Sequence, residues 1–176
     1  VSALVTALPL FNYKYVLLAP TGRAAKVLAS YSSRKAYTIH KIIYRQVADP
    51  ASGRLKFELR KNYGRNTVYI VDEASMISDT AEVGARGLLD DVVRYVFAHE
   101  SNKLILIGDR AQLPPVGYSE SPALEQGLLS GRYGLQVRQM QLTEVVRQEQ
   151  ASGILHNATA LRELLLSGNT AIRFRT

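Results

Sequence analysis

The apolar residues of this chain fall into short unbroken runs separated by spaced series. Tyr15-Val-Leu-Leu-Ala19, Val68-Tyr-Ile-Val71 and Leu104-Ile-Leu-Ile107 do not alternate with polar residues. Runs of that kind predict strands buried on both faces, as in a parallel sheet covered by helices. The spaced series predict those helices. Val1, Leu4, Val5 and Leu8 fall at i, i+3, i+4 and i+7, and Pro9 is expected to close that helix. The turn Pro20-Thr-Gly-Arg23 opens a second helix through Ala24, Ala25, Val27 and Leu28. A third series runs from Asp79 to Glu100 through Val83, Leu88, Val92, Val93 and Val96, weakened by Gly84 and Gly87. A fourth, Ala151 to Ser167, places Ile154, Leu155, Ala158, Leu161, Leu164 and Leu165 on one face, with Gly168 as its natural C-cap. Tyr133 to Leu142 reads as a further strand. Asp49-Pro-Ala-Ser-Gly53 is a turn cluster, and the alternating basic and apolar residues from Arg54 to Arg65 are expected to form a small hairpin or a mobile insertion. Strand, helix and strand in succession make a right-handed crossover, so the fold class is α/β.

The endings of two strands carry the chemistry. Val68 to Val71 stops at Asp72 and Glu73, which would be costly to bury unpaired and so mark a site at the strand's carboxyl end. There a Mg²⁺ carrying nucleotide phosphates could neutralise the acids: Asp72 would hold the metal and Glu73 would polarise the attacking water, the physics of a Walker B element. The next strand ends in Gly108-Asp-Arg-Ala-Gln-Leu-Pro-Pro115. Gln112 there can hydrogen-bond a γ-phosphate oxygen or the lytic water, and the two prolines stiffen the segment behind it.

Charge moves a nucleic-acid partner up the list. In 176 residues, 22 Lys and Arg against 15 Asp and Glu leave a net +7, a balance that favours phosphate backbones through counterion release. With no cysteine the sequence excludes disulfides and thiolate zinc sites and fits a reducing cytoplasm. Three scattered histidines make no metal-ligand pair. No run reaches the roughly 18 apolar residues of a membrane helix, so no membrane partner is expected.

The carboxylate pair on one strand, with Gly-Asp-x-x-Gln-Leu-Pro-Pro on the next, resembles motifs II and III of superfamily 1 helicases. The RecD-like group, with the alpha subunit of exodeoxyribonuclease V, is the nearest match. Ala19-Pro-Thr-Gly-Arg-Ala-Ala-Lys26 looks like motif Ia of that group, and Thr38-Ile-His-Lys41 resembles its Thr-Ile-His segment. The resemblance runs from Val1 to about Gly168. It implies a three-layer RecA-like P-loop NTPase domain, a mainly parallel sheet flanked by helices, over residues 1–142. Residues 143–176 would lead towards a second motor domain. It also implies ATP and Mg²⁺ as cofactors and single-stranded DNA as partner, with movement 5′ to 3′, and other subunits if the protein works in a helicase–nuclease complex. Thr21, Gly22, Arg23 and Lys26 would meet the DNA backbone, with Thr38 and His40 close to its path. Without the resemblance, Thr21 to Lys26 read equally as a capped, solvated first turn, and His40 as a packing residue.

Two further expectations rest on the same likeness. In Leu142-Thr-Glu-Val-Val-Arg-Gln148, Arg147 would reach the γ-phosphate across the cleft; read alone it is an exposed arginine at a helix start. No G-x-x-x-x-G-K-[ST] phosphate-binding loop occurs. The family places that loop just before a helix like Val1 to Leu8, so the sequence is expected to begin after it, and these residues alone to hydrolyse little or no ATP. Two other classes stand beside this one: a nucleic-acid-binding module that does no chemistry, and a P-loop ATPase of another kind.

Overall fold

The computed structural model describes residues 1–50, 53–80, 86–142, 157, 158, 160, 161 and 164. The chain divides into two compact units, Val1–Val137 and Arg138–Thr176. In the first, β1 (Lys14–Ala19), β2 (Ala36–Thr38), β5 (Thr67–Val71) and β6 (Lys103–Leu106) form one parallel sheet in the order β2-β1-β5-β6. Leu18 lies opposite Val71, and Val71 opposite Leu106, so these strands finish at one level.

Successive side chains on a strand point to opposite faces, and the unbroken runs use both. Leu17, Val68 and Ile70 face one way, against Val5 of α1 (Ser2–Ala7) and Leu28 of α2 (Gly22–Ser32). Leu18, Tyr69 and Val71 face the other way, against Ile39 and Ile43 of α3 (Ile39–Ile43) and Leu89, Val92 and Val96 of α4 (Leu88–Val96). Each such side chain contributes roughly 1.5–3 kcal/mol by leaving water. The result is a parallel sheet between two helical layers, the α/β arrangement expected. Among the described residues, no helix is long and apolar enough to cross a membrane.

Several local expectations need correction. The first α-helix closes at Ala7, just ahead of Pro9 as expected, but helical geometry continues: Pro9 sits near the start of a 3₁₀ turn, Leu8–Phe11, where its missing N–H leaves no intrahelical bond unmade, and left-handed Asn12 ends that turn. The third helix starts at Leu88 instead of Asp79. Gly87 is its N-cap in an extended conformation, and a Cβ there would lie 2.2 Å from the Asp79 carbonyl oxygen, so glycine is needed for the close approach. Val83 and Gly84 lie outside the described residues. Tyr133 to Leu142 is no strand: Tyr133 closes α5 (Gln126–Tyr133), which left-handed Gly134 caps, and Leu135 and Val137 pack on the core without a ladder. The segment 54–65 does form a hairpin arm, with β3 (Tyr44–Ala48) antiparallel to β4 (Leu55–Leu59). In the second unit, Asn157, Ala158, Ala160, Leu161 and Leu164 are helical, within the span expected to be a helix.

The amino end of the sheet is held by buried amides. Asn102, 1% exposed, donates to the carbonyls of Gly64 and Val96, both at 2.9 Å, and accepts from the Thr67 amide at 3.1 Å. Asn62 donates to the Tyr95 carbonyl and accepts from the Tyr69 hydroxyl and the Gly64 amide. These bonds fix where β5 and β6 start and therefore where they end. Replacing Asn102 by Ala strands three buried groups, and we expect a loss of about 2–4 kcal/mol, read as a lowered midpoint in thermal or urea denaturation.

Tyr44 ties the hairpin to α4 by donating to Asp91 at 2.7 Å. Burial first, then the hydrogen bond and charge of Asp91, hold its proton well beyond the ordinary tyrosine range. The folded state therefore keeps a proton that the unfolded state releases near pH ~10. This stability is complete below about pH 10 and disappears as pH climbs towards the folded value. Tyr44→Phe should accordingly give a shallower fall of unfolding free energy between about pH 10 and 11.5 than the parent, measured by denaturant titration at each pH.

Candidate functional site

Because the strands are parallel and in register, their carboxyl ends form one edge, and each delivers residues singled out in the sequence. Thr38 ends β2 opposite Ala19, the last residue of β1; Thr21 follows two residues after Ala19. Asp72 and Glu73 follow β5, and Gln112 lies six residues beyond β6. The order along the edge is Thr38 and His40, then Thr21 to Lys26, then Asp72 and Glu73, then Gln112.

The carboxylate loop is built tightly. Asp72 continues the ladder through its amide to the Leu18 carbonyl at 2.9 Å. Its Oδ1 accepts from the Glu73 amide at 3.1 Å, and its Oδ2 accepts from the Tyr31 hydroxyl at the end of α2. Glu73 is left-handed, φ 56° and ψ 38°, a conformation that costs a side-chain-bearing residue about 1 kcal/mol or more and turns the chain sharply off the strand. The strain is held from below. The Ala74 amide bonds the Ile107 carbonyl at 2.8 Å, and the Ser121 hydroxyl caps the Ala74 and Ile77 carbonyls at 2.9 and 2.8 Å. Both carboxylates remain half-buried at the mouth of the sheet.

Gln112 joins this loop to the next. Its Oε1 accepts from the Ser75 hydroxyl at 3.2 Å, while its Nε2 donates to nothing among the described residues. The turn that presents it is an aspartate-stabilised one: Asp109 Oδ1 accepts from Ala111 N at 3.0 Å, and Gln112 N bonds the Asp109 carbonyl at 3.1 Å. Gly108 is required for the two loops to touch, since a Cβ would stand 2.8 Å from the Ser75 amide nitrogen. Arg110 is drawn away, bonded to the Leu124 carbonyl at 2.8 Å and paired with Glu120 at 2.6 Å. That leaves Gln112 exposed beside Leu113 and Val116, which are 89% and 98% exposed.

On the other half of the edge, Thr21 caps α2, its Oγ1 accepting from Ala24 N at 3.2 Å. The bland reading of Thr21 is thus realised, without excluding a second use of its hydroxyl. Gly22 has open space where a Cβ would stand, so nothing in the fold demands glycine there. Arg23 and Lys26 are exposed one turn apart and pair with no carboxylate among the described residues. Thr38 caps α3 through Lys41 N at 3.2 Å, and the half-buried His40 packs on the Tyr44 ring with centroids 5.4 Å apart. His40 is a packing residue at this edge. Arg147 lies outside the described residues.

Sequence reasoning missed Tyr31, Ser75 and Ser121. Ser121-Pro122 carries the local signature of a capped helical turn, which could have been noticed. Tyr31 and Ser75 touch partners 41 and 37 residues away, and no local pattern announces that.

The donor set suits a nucleotide with its magnesium. Asp72 offers hard oxygen, each atom keeping capacity beyond its one hydrogen bond, and Gln112 offers an uncommitted amide donor. Comparison with known proteins agrees. Over 123 residues, 58% of this chain, the sequence is 32% identical to the uncharacterized protein R530 of Acanthamoeba polyphaga mimivirus, and the chain covers 23% of that relative's length. Residues 1–171 match the family model of an AAA domain, nearly the whole chain. With a parallel sheet whose carboxyl edge gathers an acid pair and an exposed glutamine, this chain belongs to the AAA domain family and is a helicase-type P-loop nucleotide-binding domain.

Proposed function

We propose that this chain is the first RecA-like motor domain of a RecD-like superfamily 1 DNA helicase, coupling ATP hydrolysis to 5′-to-3′ movement on single-stranded DNA. The observation that carries the proposal is the shared edge. Asp72, Glu73 and Gln112 occupy its β5–β6 half, and Thr21, Arg23 and Lys26 its β1 half. In this reading Asp72 holds Mg²⁺, which offsets charge on the phosphates. Glu73, aimed by its left-handed backbone, orients and polarises the attacking water. Gln112 donates from Nε2 to the γ-phosphate side and, through Ser75, links that contact to the carboxylate loop. Arg147 supplies charge from beyond this domain. Thr21, Gly22, Arg23 and Lys26 grip the DNA backbone, Thr38 and His40 shape its path, and other subunits of a nuclease complex are possible partners.

The decisive experiment is ATP hydrolysis by the full-length protein, with and without single-stranded DNA. Turnover stimulated by DNA and reduced about a hundredfold or more by Glu73→Gln is expected. Oligonucleotide binding with no turnover would replace the motor by a binding module, and DNA-independent turnover would point to a P-loop ATPase of another kind. Tyr31→Phe removes the donor that orients Asp72 Oδ2. It should raise the Mg²⁺ concentration for half-maximal turnover roughly tenfold while leaving the Mg²⁺-saturated rate nearly unchanged. An unaltered Mg²⁺ titration would show that the hydroxyl plays no part.

A further inference from the structure

β2 has only three residues, pairing with Leu17 to Ala19, so among the described residues no strand lies beside the outer edge of β1 from Lys14 to Val16. An open groove of about 400 Å³ lies there. Tyr15 and Tyr37 line it together with Arg34 and Lys35. Both tyrosines are half-buried, packed from opposite faces of the sheet, and Lys41 places its ammonium 5.3 Å from the centre of the Tyr37 ring. Among the described residues, Arg34 and Lys35 are exposed and pair with no carboxylate, and no acid lines the groove.

We propose that this groove is a nucleotide-unit subsite outside the ATP site, with a base against a tyrosine face and its phosphate on Arg34 and Lys35. The chemistry favours that ligand. Two unpaired cations beside aromatic rings are the elements that bind single strands, where stacking is tolerant of sequence and charge tracks the backbone. The volume falls within the range of small-ligand sites, about 300–1,000 Å³. An added peptide strand is disfavoured, because three uncovered residues offer too short an edge against the usual five or six of a strand. The unit can come from a strand or from a free nucleotide. The strand source rests on the helicase reading: α2 spans about 16 Å from the Thr21 cap to the segment bearing Arg34 and Lys35, so one oligonucleotide could meet both ends.

The test uses Arg34→Gln/Lys35→Gln, with Arg23→Gln/Lys26→Gln as the comparison and circular dichroism melting to confirm folding. Binding of oligo(dT) is followed by anisotropy against salt, and binding of dTMP by tyrosine fluorescence. Contacts are mapped by photocrosslinking of iodouridine-substituted oligo(dT). Losing two phosphate contacts should flatten the slope of log K against log salt by about 1.4, with crosslinks on Tyr15 or Tyr37 in the parent. If oligo(dT) fails to bind but dTMP binds and is lost in Arg34→Gln/Lys35→Gln, the helicase reading fails and the subsite stands as one for free nucleotides. An unchanged slope without crosslinks at either tyrosine, while Arg23→Gln/Lys26→Gln weakens binding, overturns the subsite and leaves the helicase reading intact. Competition by oligoglutamate as strong as by oligo(dT) overturns it in favour of an acidic peptide.

Discussion

Everything at the site depends on the parallel register of β1, β5 and β6. Parallel strands start and finish together, so a residue just past one carboxyl end is brought beside residues just past the others, however far apart they stand in sequence. Leu18 opposite Val71 and Val71 opposite Leu106 set that level to the residue. A slip of one residue would turn Leu17 and Ile70 towards the wrong helical layer, and burial on both faces makes that slip very costly. The amides of Asn62 and Asn102 add a polar lock at the opposite end. They specify register where apolar packing alone specifies only burial.

Past the strand ends the logic changes from burial to hydrogen bonding. Glu73 is held left-handed, and its neighbours supply the compensation: the Ala74 amide on Ile107, Ser121 beneath two carbonyls, and Gly108 allowing the β6 loop to close on Ser75. The strained residue is the one to which the proposed function gives the water-polarising role, and strain of this kind clusters where geometry must be preset. Ser75 and Gln112 then make the two loops one unit. A single hydrogen bond thus ties Gln112 to the loop that carries the two carboxylates.

The sheet and its edge were legible in the sequence because burial on both faces leaves a mark, an unbroken apolar run, clearest in Val68 to Val71, which a charge ends. Tyr15 to Ala19 and Val68 to Val71 are strands where expected, with Asp72 and Glu73 just past the second, whereas the third run is strand only to Leu106 and, at the end of the strand order, only half-buried. The misjudged segments were those where side-chain pattern and backbone part company. Leu135 and Val137 alternate as a strand would, yet they pack by side chain after the Gly134 cap, with no ladder to join. The start of α4 was misplaced because the spacing continued through Gly87, whose role is a close approach to Asp79 instead of a helical turn. Long-range partners such as Tyr31 for Asp72 left no local trace.

That contact also bears on how the two halves of the edge communicate. α2 begins at the Thr21 cap, beside Arg23 and Lys26, and its last turn carries Tyr31 to the Asp72 carboxylate. A helix is stiff along its axis, so a displacement at its first turn reaches its last largely undiminished. Ser2 of α1 also donates to the Tyr31 carbonyl at 3.2 Å, so α1 and α2 are tied at that point. Arg23 and Lys26 are therefore joined to the Asp72 carboxylate by a short route through one helix and one hydroxyl. The Ser75–Gln112 bond ties the same carboxylate loop to the loop after β6. With a residue as long as tyrosine at position 31, the helix that bears the candidate strand contacts is joined directly to the carboxylate that terminates β5.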